Sequence, residues 1–132
     1  MVQRKVNPWK WQDQYGFSQA IEVTGGERVL YCAGQTSTGA DGKTEAPGDM
    51  RAQTQNALDN LETVLREAGL GLENVVRLNY YVTDIERFFS ESAPVLGERL
   101  GGAGIQPAAT LLGVTRLAFP DLVIEIEATA VG

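Results

Sequence analysis

The stretch "VIEIEATAV", residues 123–131, decides the fold, because its apolar residues recur at every second position. This period predicts a β-strand whose successive side chains point to opposite faces of a sheet. One face carries only apolar residues: Ile124, Ile126, Ala128 and Ala130. The other face carries Glu125 and Glu127 between apolar neighbours. Two interpretations are open for these carboxylates: both are solvated, or one of them faces a site.

The composition is typical of one globular domain. The chain has 132 residues, of which 43% are hydrophobic and 21% are charged, so it can bury a core without disulfides or metal ions. No segment approaches the roughly 18 consecutive apolar residues of a membrane span. The first residues, "MVQRKVNPWKW", lack the apolar centre of a signal peptide. We therefore expect one domain over residues 1–132, with 1–15 as an N-terminal arm, in the cytoplasm.

Two residue types exclude large classes of chemistry. His is absent and Cys32 is the only cysteine, which excludes Ser-His and Cys-His nucleophiles, His-based metal sites and an internal disulfide. Acid–base chemistry must then come from carboxylates, Tyr, Lys, the backbone or water. The formal net charge of −6 argues against sequence-independent binding of nucleic acid, which depends on clustered Lys and Arg. We expect no metal ion and no cofactor.

The strand and turn signals predict five strands. Gly25-Gly26 predicts a tight hairpin between the first two strands, and Asp41-Gly42 predicts a turn in the loop that follows. The segment "NVVRLNYYVTD" predicts a third strand. The segments "AATLLGVTRLA" and "LVIEIEATAV" predict the last two strands, again as neighbours.

Two segments have a helical period. The first helix is predicted to begin after Asp49, as the N-cap, and to end at Gly69. Its apolar stripe consists of Met50, Ala57, Leu58, Leu61, Val64, Leu65 and Ala68. The spacing of Thr83 and Glu86 predicts a capping box that starts a second helix, which runs to about Leu100. Pro94 predicts a kink or a break within it.

The order ββ-α-β-α-ββ favours an α+β fold, in which both helices cover one face of a mixed sheet. The second face then carries apolar residues, including Tyr31, Ala33, Val114, Val123 and Val131. Because exposed apolar patches of this kind usually mark interfaces, we expect the chain to self-associate through this face.

Several segments together resemble the Rid family of reactive intermediate deaminases, also called YjgF or endoribonuclease L-PSP. They are "AGQ" (33–35), "ALDNLETVLREAGL" (57–70), "YVTDIERF" (81–88) and "QPAATLLGVTRLAFPDLVIEIEATA" (106–130). The resemblance implies a chorismate-mutase-like α+β fold and a homotrimer with a central barrel-like core. It also implies three clefts between subunits that bind small carboxylates. In the family, enamines and imines such as 2-aminoacrylate are hydrolysed there to 2-keto acids and ammonia.

The resemblance assigns the catalytic role to Glu125, which corresponds to the glutamate that positions or activates the hydrolytic water. The family's arginine, which binds the substrate carboxylate through a two-pronged contact, corresponds to Ala109. A cysteine two positions later corresponds to Leu111, and Thr110 lies between these ligand-binding positions. The carboxylate anchor is therefore missing from this chain.

Four further ligand-binding positions follow from the resemblance. Phe17 replaces a tyrosine, Ala33 replaces a serine, and Gly34 is retained where the backbone approaches the ligand closely. Ser92 aligns approximately with an asparagine. The cleft has thus become more apolar, while its carboxylate is kept.

One arginine and three aromatic residues are candidates for replacing the lost anchor or for lining the cleft. Arg116 lies an odd number of positions after Ala109, which predicts the opposite face and a surface role. Trp9, Trp11 and Tyr15 share one parity in an extended arm. They predict packing in the core or between subunits, or alternatively an aromatic lid that favours an apolar ligand.

These observations leave three hypotheses. The first is a homotrimer that binds a small metabolite between subunits and lacks 2-imino acid deaminase activity, with no nucleic-acid or membrane partner. The second is a deaminase of imines or enamines with a different substrate anchor. The third is a ribonuclease or translation inhibitor, which the missing His residues and the negative charge disfavour.

Overall fold

The structure, a computed structural model, describes residues 1–132. Six strands form two sheets: β1 (Val2–Val6), β2 (Ala20–Thr24), β3 (Val29–Tyr31), β4 (Val75–Val82), β5 (Ala108–Gly113) and β6 (Ile124–Val131). Helix α1 spans Met50–Glu67, α2 spans Ile85–Arg87 and α3 spans Ala93–Gly102, with a π-helical segment at Phe88–Ser92 between α2 and α3. Short 3₁₀ helices occupy Trp11–Tyr15 and Leu72–Asn74. No helix has the length and the apolar character that crossing a membrane requires.

The main sheet has four strands in the order β3-β6-β4-β5. β6 is antiparallel to both of its neighbours, and β4 is parallel to β5, so the sheet is mixed as predicted. The register places Glu125 opposite Tyr81 and Glu127 opposite Asn79. The two carboxylates therefore lie on the sheet face that turns away from the helices, which we call the outer face.

The predicted hairpin around Gly25-Gly26 is wrong. Gly25 does turn the chain, with φ +76°, but β2 pairs with β1 in a separate two-stranded sheet, and β3 pairs with β6. The arm supplies a strand that the sequence did not indicate. The backbone N–H groups of Glu27 and Arg28 bind the carbonyl oxygen of Gly132, so the chain leaves β2 and joins the free edge of β6.

The last two strands are also not neighbours, contrary to the prediction. β4 lies between β5 and β6, because β5 pairs in parallel with β4 and segment 114–123 crosses back over the sheet. The predicted strand ends at Gly113, so Arg116 belongs to this crossing segment and not to β5.

The helices cover one sheet face, as predicted. Asp49 caps α1 by accepting a hydrogen bond from the Ala52 amide at 3.1 Å, and Gly69 follows the helix with φ +75°. The core lies between α1 and the inner faces of β4 and β6, and its fully buried members include Leu58, Leu61, Leu65, Leu78, Ile124 and Ile126. Val64, predicted on the apolar stripe, is instead 37% exposed.

The second helical segment differs from the prediction at its start. The cap is Asp84, whose Oδ1 accepts from the Arg87 amide at 3.0 Å, and not Thr83. The expected break occurs before Pro94, where the π-helical segment ends and α3 begins. A π-turn contains one residue more than an α-turn, and this widening sets the direction from which α3 approaches the sheet.

The side chain of Gln53 connects α1 to both segments that lead into the sheet. It is 0% exposed, and its Nε2 donates to the carbonyl oxygens of Ala46 at 3.0 Å and Asp121 at 2.8 Å. Its Oε1 accepts from the Val123 amide at 2.9 Å, one residue before β6. Ala46 is the one residue other than glycine with a positive φ, +50°. The amide of Gln53 therefore fixes a strained loop and the entry of the strand that carries Glu125.

We predict that Gln53→Ala lowers the free energy of unfolding by about 3 kcal/mol, because three backbone groups lose buried partners. The control is Gln55→Ala, which removes a single partly buried bond from Arg99 and is expected to cost less than about 1 kcal/mol. Urea unfolding at matched protein concentration measures both. Equal losses in the two variants would contradict the role assigned to Gln53.

Candidate functional site

A cavity of about 690 Å³ lies between the inner face of β5, the second helical segment and the 3₁₀ helix of the arm. We call it the first cavity. Its volume falls within the range of pockets that bind drug-sized ligands. Its walls include Trp11, Asp13, Tyr15, Phe17, Tyr80, Phe88, Phe89, Leu96, Leu100, Gln106, Ala109 and Leu111.

Aromatic rings form much of this wall. Trp11 meets Phe17 edge to face with 5.8 Å between ring centroids, and Tyr15 meets Phe89 in the same way at 6.3 Å. The arm is not extended here, so the parity argument for its aromatic residues fails. It forms the 3₁₀ helix Trp11–Tyr15 instead. Of the three aromatic residues of the arm, Trp11 and Tyr15 therefore line the cavity, and Trp9 does not.

The charge of the first cavity is negative. Asp13 is the only charged residue among its walls, which include neither Lys nor Arg. Its Oδ1 accepts hydrogen bonds from Gln106 Nε2 at 2.7 Å and from Gln12 Nε2 at 3.3 Å. Gln106 also donates to the carbonyl oxygen of Phe17 at 2.7 Å, which connects the arm to the start of β5.

Ala109 lies on the wall of this cavity because of the alternation of β5. It pairs with Leu78, whose side chain is fully buried beneath the helices. Its methyl group is half-buried and points to the same side as Leu111. The position that carries an arginine in the resembling family is therefore an apolar wall here.

A second cavity, of about 360 Å³, lies on the outer face of the sheet. Its walls are Gly34, Tyr81, Val114, Arg116, Leu117, Ala118, Glu125 and Glu127. Glu127 Oε1 accepts hydrogen bonds from Asn79 Nδ2 and from the Tyr81 hydroxyl, both at 2.9 Å. The two bonds favour the ionised form and hold the pKa of Glu127 below its ordinary value.

Glu125 differs from Glu127 because no hydrogen bond from another side chain stabilises its ionised form. Burial, and secondly the charge of Glu127, raise the pKa of Glu125. Its carboxylate packs against Gly34, where a Cβ would overlap it. The close approach expected at Gly34 is thus an approach to Glu125. The backbone between Cys32 and Gln35 has one residue more than the facing part of β6, which is the geometry of a β-bulge.

Arg116 lies in the second cavity, on the sheet side opposite Ala109. The predicted reason, the odd spacing along one strand, does not apply, because β5 ends at Gly113. Its guanidinium donates to the carbonyl oxygens of Leu117 at 3.3 Å and Ala118 at 3.4 Å. Sequence reasoning assigned it a surface role and missed that Glu125 shares this side. The relevant signal was the parity of β6, which places Glu125 away from the helices.

The predicted site residues are not brought together in one chain. Phe17 and Ala109 line the first cavity, whereas Gly34 and Glu125 line the second, across the sheet. Glu127, expected near the outer end of the strand, shares the second cavity with Glu125.

Three further predicted residues lie outside both cavities. Ala33 is exposed, and Thr110 Oγ1 accepts from Arg77 Nη2 at 2.9 Å. Ser92 is 0% exposed, and its Oγ lies 2.8 Å from Thr54 Oγ1, between the helices. No group of three or more acidic or Cys side chains is arranged to hold a metal ion.

The contrast between the two glutamates predicts distinct titrations. We expect an NMR titration of labelled carboxyl groups to give Glu125 a pKa above its ordinary value and Glu127 one below. Because the pKa of Glu125 is higher in the folded state than in the unfolded state, the free energy of unfolding falls as the pH rises from the unfolded pKa through the folded pKa. Glu127 contributes stability above its unfolded pKa, and loses it as the pH falls through its folded pKa.

Substitution of Glu127 separates the two causes of the raised pKa of Glu125, which are burial and the neighbouring charge. Glu127→Gln removes a neighbouring charge and should lower the pKa of Glu125 without returning it to the ordinary value, since burial remains. Glu86→Gln, an exposed change on α2, is the control and should leave that pKa unchanged. If Glu127→Gln had no effect on the titration of Glu125, the two carboxylates would not be coupled.

Comparisons with known proteins agree with the resemblance seen in the sequence. A family model described as Endoribonuclease L-PSP matches residues 12–132. A RutC family protein of Pyrococcus abyssi is 32% identical over 114 residues, which are 86% of this chain and 84% of that protein. A 2-iminobutanoate/2-iminopropanoate deaminase of Escherichia coli is 33% identical over 87 residues, 66% of this chain and 67% of that protein.

Solved structures share the fold. That of YyfB from Yersinia pestis, a Rid family protein of unknown function, is 38% identical, covers 100% of both chains and has a TM-score of 0.90. The chorismate-mutase-like α+β fold, with helices on one face of a mixed sheet, is thereby confirmed. From its sequence and its fold alike, the chain belongs to the Rid family, whose family model carries the description Endoribonuclease L-PSP.

Proposed function

We propose that this Rid family protein forms a homotrimer that binds a small metabolite between subunits and lacks 2-imino acid deaminase activity. The observation that carries the proposal is the wall of the first cavity, where Ala109 takes the place of the anchoring arginine and which no Lys or Arg lines. A ligand with a carboxylate would meet Asp13 and aromatic rings there.

Assembly is supported by the outer face of the sheet. Val29 is 52% exposed, Tyr31 81% and Leu112 49%, and all three lie on this face. On the same face, Asn79 Oδ1 is buried and has no hydrogen-bond partner. An apolar patch and an unsatisfied acceptor together favour a protein partner.

The division of the predicted site supports a cleft between subunits. Phe17 and Ala109 lie on the inner side of the sheet, and Glu125 lies on the outer side. One chain cannot present both groups to one small ligand. In a ring of identical chains, the inner wall of one subunit can face the outer wall of the next, so that Glu125 meets the first cavity of a neighbour.

The missing arginine has a calculable cost. A charge-assisted hydrogen bond to a carboxylate contributes roughly 1.5–3 kcal/mol, with a bidentate contact towards the upper end. At about 1.4 kcal/mol per factor of ten, its loss weakens carboxylate binding roughly ten- to a hundredfold. Phe17, with no hydroxyl group, does not compensate.

A deaminase with a different anchor is the second candidate, because Arg116 shares the second cavity with Glu125. Its guanidinium binds carbonyl oxygens only at 3.3–3.4 Å and is exposed, so a carboxylate can compete for it. The ribonuclease hypothesis is not adopted, since the net charge of −6 and the paired glutamates repel a phosphodiester chain.

The first prediction from this proposal concerns assembly. Light scattering at micromolar concentration should give the mass of a trimer. Tyr31→Glu places a charge on the outer face and should dissociate it, whereas Val64→Glu, on the exposed side of α1, should leave it intact. A monomeric wild-type protein would remove both the trimer and the cleft.

The second prediction concerns activity. When an amino-acid oxidase generates 2-imino acids, the wild-type protein should not accelerate ammonia release. Ala109→Arg should raise the affinity for small 2-keto acids about ten- to a hundredfold, measured by calorimetry. Ala109→Met adds comparable length without charge and should not do so.

The same assay separates the two candidates. If the wild-type protein does accelerate imine hydrolysis and Arg116→Ala abolishes that activity, the deaminase with a different anchor is correct. The lost-anchor proposal then fails.

A further inference from the structure

We propose that the ligand of the first cavity is a protonated amine carried on an aromatic body. This inference rests on the proposed function, since it specifies the ligand of the same cavity. Its basis is the juxtaposition of the Asp13 carboxylate, the Trp11 and Phe17 rings and an unpartnered hydroxyl of Tyr80.

The sign of the charge comes from Asp13, the only charged group in the wall. Gln106 holds its Oδ1 in place at 2.7 Å, so the carboxylate is oriented before a ligand arrives. Both hydrogen bonds that this side chain accepts, from Gln12 and Gln106, end on Oδ1, which leaves Oδ2 for an ammonium group. A carboxylate ligand is disfavoured by the same charge.

The rings define the body of the ligand. Trp11 is half-exposed and meets Phe17 edge to face, so ring surface remains open to the cavity. Aromatic faces attract cations within about 6 Å and also stack on aromatic ligands. A volume of about 690 Å³ exceeds what an amine of three or four carbons fills, which favours a ring on the ligand.

Tyr80 supplies a buried polar group. It is 7% exposed and lines the cavity from β4. Burial alone raises its pKa, with no hydrogen bond from another residue contributing, so the hydroxyl is neutral at physiological pH. The fully buried side-chain atoms without a partner are Gln12 Oε1, Gln19 Nε2 and Asn79 Oδ1, so the Tyr80 hydroxyl is not completely enclosed. A ligand with a polar group at the deep end of the cavity can form a hydrogen bond with it.

Three probes of similar size test the inference by calorimetry at pH 7: 2-phenylethylamine, 2-phenylethanol and 3-phenylpropanoate. Exposed charge pairs contribute about 0.2–1 kcal/mol and cation–π contacts about 0.5–1 kcal/mol. The amine should therefore bind about three- to thirtyfold more tightly than the alcohol, and the carboxylate should bind least tightly.

Two variants identify the groups. Asp13→Asn keeps an acceptor for Gln106 and should bring the amine to the affinity of the alcohol. Asp41→Asn, in an exposed loop where Oδ1 accepts from the Lys43 amide, is the control and should change neither. Tyr80→Phe should weaken the amine and the alcohol to the same extent, because the hydroxyl is uncharged.

Salt provides a test that needs no variant. Raising NaCl from about 20 to about 500 mM shortens the electrostatic screening length from about 20 Å to about 3–5 Å. This change should reduce the advantage in affinity of the amine over the alcohol in the wild-type protein. The inference is overturned if the amine binds no more tightly than the alcohol. It is also overturned if the tighter binding of the amine persists both in high salt and in Asp13→Asn. Either result leaves the proposed function standing. Tightest binding by 3-phenylpropanoate overturns the proposed function as well. No binding of any probe at millimolar concentration overturns the inference.

Discussion

The alternation of β6 is the constraint on which the rest of the structure depends. Its inner residues, Ile124 to Ala130 in steps of two, are buried against the helices. Because side chains alternate strictly, Glu125 and Glu127 must then lie on the outer face. Pairing on both edges, with β3 and with β4, prevents a shift of register. A slip by one residue would bury two carboxylates and expose the core.

The sequence predicted the elements with a clear period and missed those that depend on distant partners. α1, β4 and β6 each bury a face large enough to define its own pattern, and all three occur where expected. The hairpin at Gly25-Gly26 failed because a turn signal says where a chain reverses, and not which strand the next segment joins. Gln53 was equally hidden, because a buried amide that binds loop backbone has no periodic signature.

The resemblance named candidate site residues but did not indicate how one chain groups them. The resemblance named Phe17, Ala109 and Glu125, and the structure places them at two cavities on opposite sides of a sheet. Parity within a strand relates positions correctly, but it does not extend across a crossing segment such as 114–123. Asp13 and Tyr80 could not be found this way, since one lies in a 3₁₀ turn and the other reads as an ordinary core residue of β4.

The π-helical segment Phe88–Ser92 has a consequence for how such a cavity can change during evolution. Its extra residue lets two consecutive rings, Phe88 and Phe89, both reach the first cavity. Removing one residue would restore an α-helical turn and rotate the following side chains by about 100°. The strands do not contain this extra residue, because the π-helical segment lies outside the sheet. Insertion or loss of a single codon can therefore reshape the ligand pocket while the sheet, and the contacts between its strands, are inherited unchanged.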